Sequence, residues 1–354
     1  MRPVRLLGIA PRPFEDELLS CWHWRVSSHY ATSPQQLEDW ITGASGGQAP
    51  NFFSRDFYPD SAAIRSWALA CRVRKADLDR LSLQNTGRGK GSFVSDPMHR
   101  GVCPVCFDED AEEGRDHYCR RSWACVEAVV CRRHGIGLES NCALCFRSGL
   151  FQFRQTPGGV ARLFCRHCDT VVSARRFHRR DQAAVAKVAE VIRYAITKGG
   201  PELDLITKAS RFFWAPTSHG APYITALGLP LPYGRRPSAS TGIAPLMSLS
   251  PAWRAVTIAA ITELLFGLVD ERPRLPSSAC NAFGQFERGH TSPDLQAPPQ
   301  MQMTSAVKLR SETEYRQLAR GIVESQGWSS LPPKSGRARN RAIGKLMLRA
   351  LNDG

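Results

Sequence analysis

No stretch of this sequence reaches the apolar length of a membrane span, and residues 1–20 hold no apolar core leading to a small-residue cleavage site. The first absence argues against an integral membrane protein. The second removes the usual ground for a disulfide framework, which needs an oxidising compartment. A soluble, cytoplasmic protein is the expectation. No His-Glu-x-x-His occurs, and Gly87-Arg-Gly-Lys-Gly91 fails the spacing of a phosphate-binding P-loop, so it reads as a flexible basic connector. Nor is there an acidic or histidine cluster fit for a magnesium nuclease. Asp108, Glu109 and Asp110 are consecutive, and consecutive helical residues point to different sides, as in a capping or solvated run. No catalytic residue is assigned, and the chain is not expected to be an enzyme.

Carboxylates and lysine are both in short supply. Lys plus Arg number 47 against 32 Asp plus Glu, a net charge of +15, and Arg greatly outnumbers Lys. The planar guanidinium fork suits phosphate and guanine edges. The excess is spread: about +3 over residues 1–100, +4 over 101–180, +2 over 181–300 and +6 over 301–354. A distributed excess of this kind favours an extended nucleic-acid face over a single basic tail; mere solubility is the bland alternative.

What is abundant is cysteine in ordered pairs. Cys103-Pro-Val-Cys106 is followed by Cys131-Arg-Arg-His134, then Cys142-Ala-Leu-Cys145 and Cys165-Arg-His-Cys168. A Cys-x-x-Cys knuckle presents two thiolates to one tetrahedral ion, and a second knuckle completes the shell. The order predicts two structural Zn2+ ions per chain, held by Cys103, Cys106, Cys131 and His134 and by Cys142, Cys145, Cys165 and Cys168. Thioredoxin-like redox chemistry would use one such pair, and catalytic zinc would keep an open position. A ligand exchange with His117, Cys119 or Cys125 inside the first loop stays open. Cys21, Cys71 and Cys280 are isolated and read as buried thiols.

The chain is expected to be mainly α: an N-terminal helix-turn-helix-like domain (1–98), tandem zinc-finger or ribbon modules (99–180) and a C-terminal helical domain (181–354), with Pro- and Ser-rich loops near 215–250 and 270–304. Leu18, Leu19, Trp22, Val26 and Tyr30 form one helical stripe. Ser33-Pro34-Gln35-Gln36 is a capping-box start feeding Leu37, Trp40 and Ile41. Ile64, Trp67, Leu69 and Ala70 make a third helix, Leu78 and Leu81 a fourth, and Trp22, Trp40 and Trp67 read as core. Further helices are expected at Asp181–Lys198, Glu202–Trp214, from Pro251 to about Leu268, and near 312–326 and 337–351. The last carries Arg337, Arg339, Arg341, Lys345 and Arg349, a phosphate-contacting helix or a solvated face.

Two runs carry a family resemblance. Pro11-Arg-Pro13-Phe-Glu-Asp-Glu-Leu-Leu-Ser-Cys-Trp-His-Trp-Arg25 resembles the N-terminal signature of the TniQ family. The order Cys103-Pro-Val-Cys106-Phe-Asp-Glu-Asp110, Tyr118-Cys-Arg-Arg-Ser-Trp123, Val130-Cys-Arg-Arg-His-Gly135 and Cys142-Ala-Leu-Cys145 is similar to that family's central pattern. Ala143 stands where proline is usual, and Phe146 where glycine is often found. The resemblance covers roughly residues 8–170. It implies a target-site selection adaptor of DNA transposition, bacterial and nucleoid-associated. Such an adaptor binds double-stranded DNA itself or docks on an RNA-guided CRISPR effector, and recruits an AAA+ ATPase that brings the transposase. A homodimer stays open. Arg120 and Arg121 are candidate DNA or partner contacts, one of them bonded internally, with Trp123 packed on the first zinc module. Readings from other classes are a zinc-stabilised helix-turn-helix transcription regulator and a protein scaffold.

Overall fold

The computed structural model describes residues 4–43, 52–148, 151–176, 183–218, 220–229, 231–232, 237, 245–267 and 275–287. They belong to the compact unit Met1–Pro299; a second unit, Gln300–Gly354, lies outside the described residues, and with it the helices expected near 312–326 and 337–351, including Arg337, Arg339, Arg341, Lys345 and Arg349. Helix dominates the described residues, which hold a single three-stranded sheet.

α1 (Leu19–Ser28) is the axis of the N-terminal region, with all but two of its residues buried. Helix starts leave amide donors without intrahelical partners, and no side chain caps this one locally. Distant groups serve instead: Ser20 donates from its amide and its hydroxyl to the Asp56 carboxylate (both 2.7 Å), and Leu19 N donates to Leu81 O at 3.3 Å. Arg25, 1% exposed, is held by Glu17 (2.8 Å) and Asp116 (2.7 Å). α2 (Pro34–Thr42) starts with the expected capping box, Ser33 with Gln36, and ends at Gly43 with φ +67. α3 (Ser61–Ala70) is capped by Asp60, and α4 (Lys75–Asp79) is short. Leu19, Trp22, Val26, Leu37, Ile41, Ile64, Trp67 and Leu78 form their common core, with Trp22 and Trp67 edge to face at 5.8 Å.

Trp40 and Leu69, both expected inward, are 45% and 55% exposed. On α2 the core faces are Leu37 and Ile41, one turn apart, and Trp40 falls to the side, where Arg5 covers its ring. On α3, Leu69 is two positions past Trp67, on the opposite face of the helix.

α5 (Pro104–Glu112) follows the first knuckle cysteine, with proline at its first position. Strands β1 (Phe151–Gln155), β2 (Ala161–Cys165) and β3 (Thr170–Val171) make an antiparallel meander, with Phe151 opposite Cys165 and Cys165 opposite Thr170. Phe153 and Leu163 join Leu18, Phe93, Phe107 and Trp123 in a second core.

α6 (Ala183–Lys198), α7 (Pro201–Trp214), α8 (Pro251–Phe266) and α9 (Ser277–Glu287) build the third core around Ile192, Phe212, Phe213, Trp253, Ile258 and Phe283. α9 lies within the stretch expected to be loop. Its Ala279, Ala282, Phe283 and Phe286 recur at helical spacing and pack inward, which outweighs the Pro- and Ser-rich flanks. Val94, just ahead of the cysteine-rich region, and Val126, Val129 and Val130 within it belong to this same core. Arg254 of α8 is fully buried and donates to three carbonyls, those of His99 (3.0 Å), Leu249 (2.7 Å) and Ala128 (3.0 Å). Burial lowers its pKa to about 9. No helix among the described residues is long and apolar enough to cross a membrane.

Candidate metal centres

The four knuckles converge in two clusters: Cys103, Cys106, Cys131 and His134, then Cys142, Cys145, Cys165 and Cys168, with the ligand atoms of each within 4.8 Å of one another. In the first, Cys106 Sγ is 3.7 Å from Cys131 Sγ, and His134 Nδ1 lies 3.4 Å from Cys103 Sγ, 3.4 Å from Cys106 Sγ and 3.6 Å from Cys131 Sγ. In the second, Cys142 and Cys168 sulfurs are 3.4 Å apart, and those of Cys145 and Cys165 3.6 Å. A tetrahedral ion with bonds of about 2.3 Å to sulfur and 2.0 Å to nitrogen needs edges of about 3.8 Å and 3.5 Å respectively. Both donor sets therefore fit one tetrahedral cation each. Within the first cluster, S–H bonds from Cys103 and Cys106 hold Cys131 down toward thiolate, while Cys103 and Cys131 push the Cys106 thiol up. A divalent ion deprotonates every thiol it binds.

Backbone geometry explains the knuckle spacing. Gly135 N donates to Cys131 O (2.8 Å), Phe146 N to Cys142 O (2.8 Å) and Asp169 N to Cys165 O (2.8 Å). Each closes a turn whose fifth residue is left-handed, at φ +65, +59 and +55 respectively. Glycine adopts that conformation freely and aspartate tolerates it; phenylalanine does not.

Around the first centre the three consecutive carboxylates diverge, but none is merely solvated. Asp108 accepts from Ala174 N at 2.9 Å. Glu109 Oε1 lies 3.0 Å from His134 Nε2, an ion-pair contact without hydrogen-bond geometry, on the side of the ring away from the sulfurs that Nδ1 faces. Asp110, fully buried, receives both terminal nitrogens of Arg120 at 3.0 and 2.9 Å. Burial pushes Asp110 up, against the Arg120 and Arg115 charges that pull it down. Nothing in the local sequence pairs Glu109 with His134; the approach of the two knuckles brings them together.

The Tyr118–Trp123 arm runs extended beside residues 16–18, with Leu18 N donating to Cys119 O (3.0 Å), before a single 3-10 turn at Arg121–Ala124. Trp123 is 5% exposed and meets Phe107 edge to face at 5.7 Å. Arg120 is buried between the rings of Tyr118 and Trp123. Arg121 is half-buried and donates to the carbonyls of Arg80 and Glu15. His117, Cys119 and Cys125 join neither cluster. His117 Nδ1 accepts from Leu163 N and its ring stacks on Phe107, Cys119 N donates to Cys21 Sγ, and Cys125 faces Arg88. Cys21 and Cys71 are buried, as isolated thiols should be, but Cys280 is exposed, on the outer side of α9 from Ala279 and Phe283.

No curated protein matches the chain. The TniQ family model, however, matches residues 8–138, from the loop ahead of α1 to the hairpin that closes the first centre, so this segment is similar to the TniQ family.

Proposed function

We propose that the chain is a non-catalytic adaptor that selects the target site in DNA transposition. The observation that carries the reading is the TniQ match over residues 8–138, which takes in the whole first metal centre. Both centres are read as structural Zn2+ sites, because their donors are sulfur-rich and four ligands leave no open position for a substrate. In this reading the chain binds double-stranded target DNA, or an RNA-guided CRISPR effector already seated there, and recruits an AAA+ ATPase that brings the transposase.

The net charge of +15, mostly arginine, supports a polyanionic partner. α1–α4 are read as the helix-turn-helix-like part and the 337–349 segment as a second basic contact. Arg120 holds Asp110 and so positions the first centre, which leaves Arg121 the better placed of the two for a phosphate. A pull-down of the tagged full chain from its host tests the proposal, with co-purified proteins identified and bound nucleic acid sequenced. Recovery of an AAA+ ATPase together with target-site sequences is expected. Zinc-loaded protein that recovers no ATPase and no transposition component would overturn it.

A further inference from the structure

Phe146 is 78% exposed, more than any other large hydrophobic side chain among the described residues, and it stands in a left-handed conformation at φ +59. Both properties are unfavourable, and glycine would remove both at once, as Gly135 does at the matching place in the first centre. Leu144, 45% exposed, lies two residues before it in the same knuckle. The surroundings are cationic. From Ser140 to Cys168 the chain has no Asp or Glu and four arginines, Arg147, Arg154, Arg162 and Arg166. Arg147, exposed next to Phe146, lies 3.1 Å from His167 Nδ1, which draws the second knuckle, with exposed Arg166, alongside the first. The nearest following carboxylate, Asp169, is already paired with Arg154.

We propose that this tip of the second metal module is a nucleic-acid contact in which the Phe146 ring stacks on an unpaired base while Arg147 and Arg166 take the flanking phosphates. The inference rests on the nucleic-acid reading above and narrows it to single-stranded or locally opened strands. Bases inside an intact duplex are already stacked and offer no face to a protruding ring; an unpaired base offers one whatever its sequence. Cations without balancing carboxylates match the phosphates beside such a base.

The test uses the zinc-loaded full chain, fluorescent oligothymidylate and a blunt duplex of equal length, at several salt concentrations. Phe146→Gly relieves the backbone, so the variant should keep two zinc ions and its fold, and any loss of binding is not unfolding. Expected is a loss of about tenfold in affinity for the single strand with duplex affinity unchanged, and recovery in Phe146→Trp. Arg147→Ala with Arg166→Ala should weaken both probes and flatten the salt dependence. Unchanged single-strand affinity in Phe146→Gly, or equal losses on both probes, overturns this inference alone. A chain that binds neither probe overturns it together with the nucleic-acid reading. An effect of Phe146→Gly only on a protein partner assigns the ring to that partner instead.

Discussion

The two candidate metal centres share their donor chemistry and differ in their surroundings. Cys103, Cys106 and Cys131 are 0%, 2% and 3% exposed and belong to the same core as Leu18, Phe107, Trp123 and Phe153. The cysteines of the second centre form a small cluster of their own, with Leu144 and Phe146 facing solvent. The first lies inside the TniQ match and the second beyond it. An ion in the first would therefore join α5 to the 131–134 turn inside a core shared with Leu18 and Phe153, whereas one in the second would join the 142–145 turn to the end of β2 at the surface.

The largest expected effect is on the first centre. A structural zinc contributes about 10–16 kcal/mol, comparable with or above the roughly 5–15 kcal/mol net stability of a domain. Cys106→Ser should abolish cooperative folding, while Cys145→Ser should remove one ion and leave protection of the α1 and α3 amides intact in hydrogen exchange. Equal damage from both would show the centres to be equivalent. A chromophoric chelator should likewise withdraw one equivalent quickly and the other only as the protein unfolds, and Cys145→Ser should lack the fast phase.

Ion pairs near each centre should divide the same way. Removing one partner of a buried pair strands the other, so Asp110→Ala should cost about 3–5 kcal/mol in denaturant unfolding. Asp169→Asn, which keeps the left-handed turn and removes only the charge opposite half-buried Arg154, should cost no more than about 1 kcal/mol.

His23 gives a pH dependence to the N-terminal helical core, separate from either metal cluster. Its ring is fully buried among Trp22, Trp67 and Phe52, neither nitrogen has a hydrogen-bond partner among the described residues, and burial, then the Arg55 charge, lowers its pKa well below 6.5. Below pH 6.5 the unfolded chain takes up a proton that the folded chain refuses. Stability is therefore full above that pH and falls by up to about 1.4 kcal/mol per unit beneath it. His23→Phe should remove this contribution to the slope in melts between pH 6.5 and 5.5. The smallest effect is a gain: Phe146→Gly should stabilise the second module by about 1 kcal/mol, seen as slower loss of the chelator's fast equivalent.

Much of this was legible in the sequence, because metal ligands and helix starts are local signals. The two four-residue clusters follow from knuckle spacing, and the Ser33 capping box and the prolines at 34, 201 and 251 mark helix starts where they are found. α9 carried a readable stripe that the composition of its flanks obscured. Trp40 shows the opposite failure, a large apolar residue that propensity places inside and helical geometry places at the edge. Glu109 beside His134, Asp56 at the start of α1 and Asp116 on Arg25 are long-range pairings, and no short window contains both members.

Arg254 bears on how such chains are cut and recombined. Its guanidinium gathers the carbonyls of His99 and Ala128, which flank the first two knuckles, onto a helix that begins more than a hundred residues beyond the end of the family match. A fragment ending at 138 would lose those donors and bare Val126, Val129 and Val130. The matched stretch is thus shorter than the set of residues that completes its packing. A chimera exchanging it between relatives would have to carry the matching α8 as well, or redesign the surface that α8 covers.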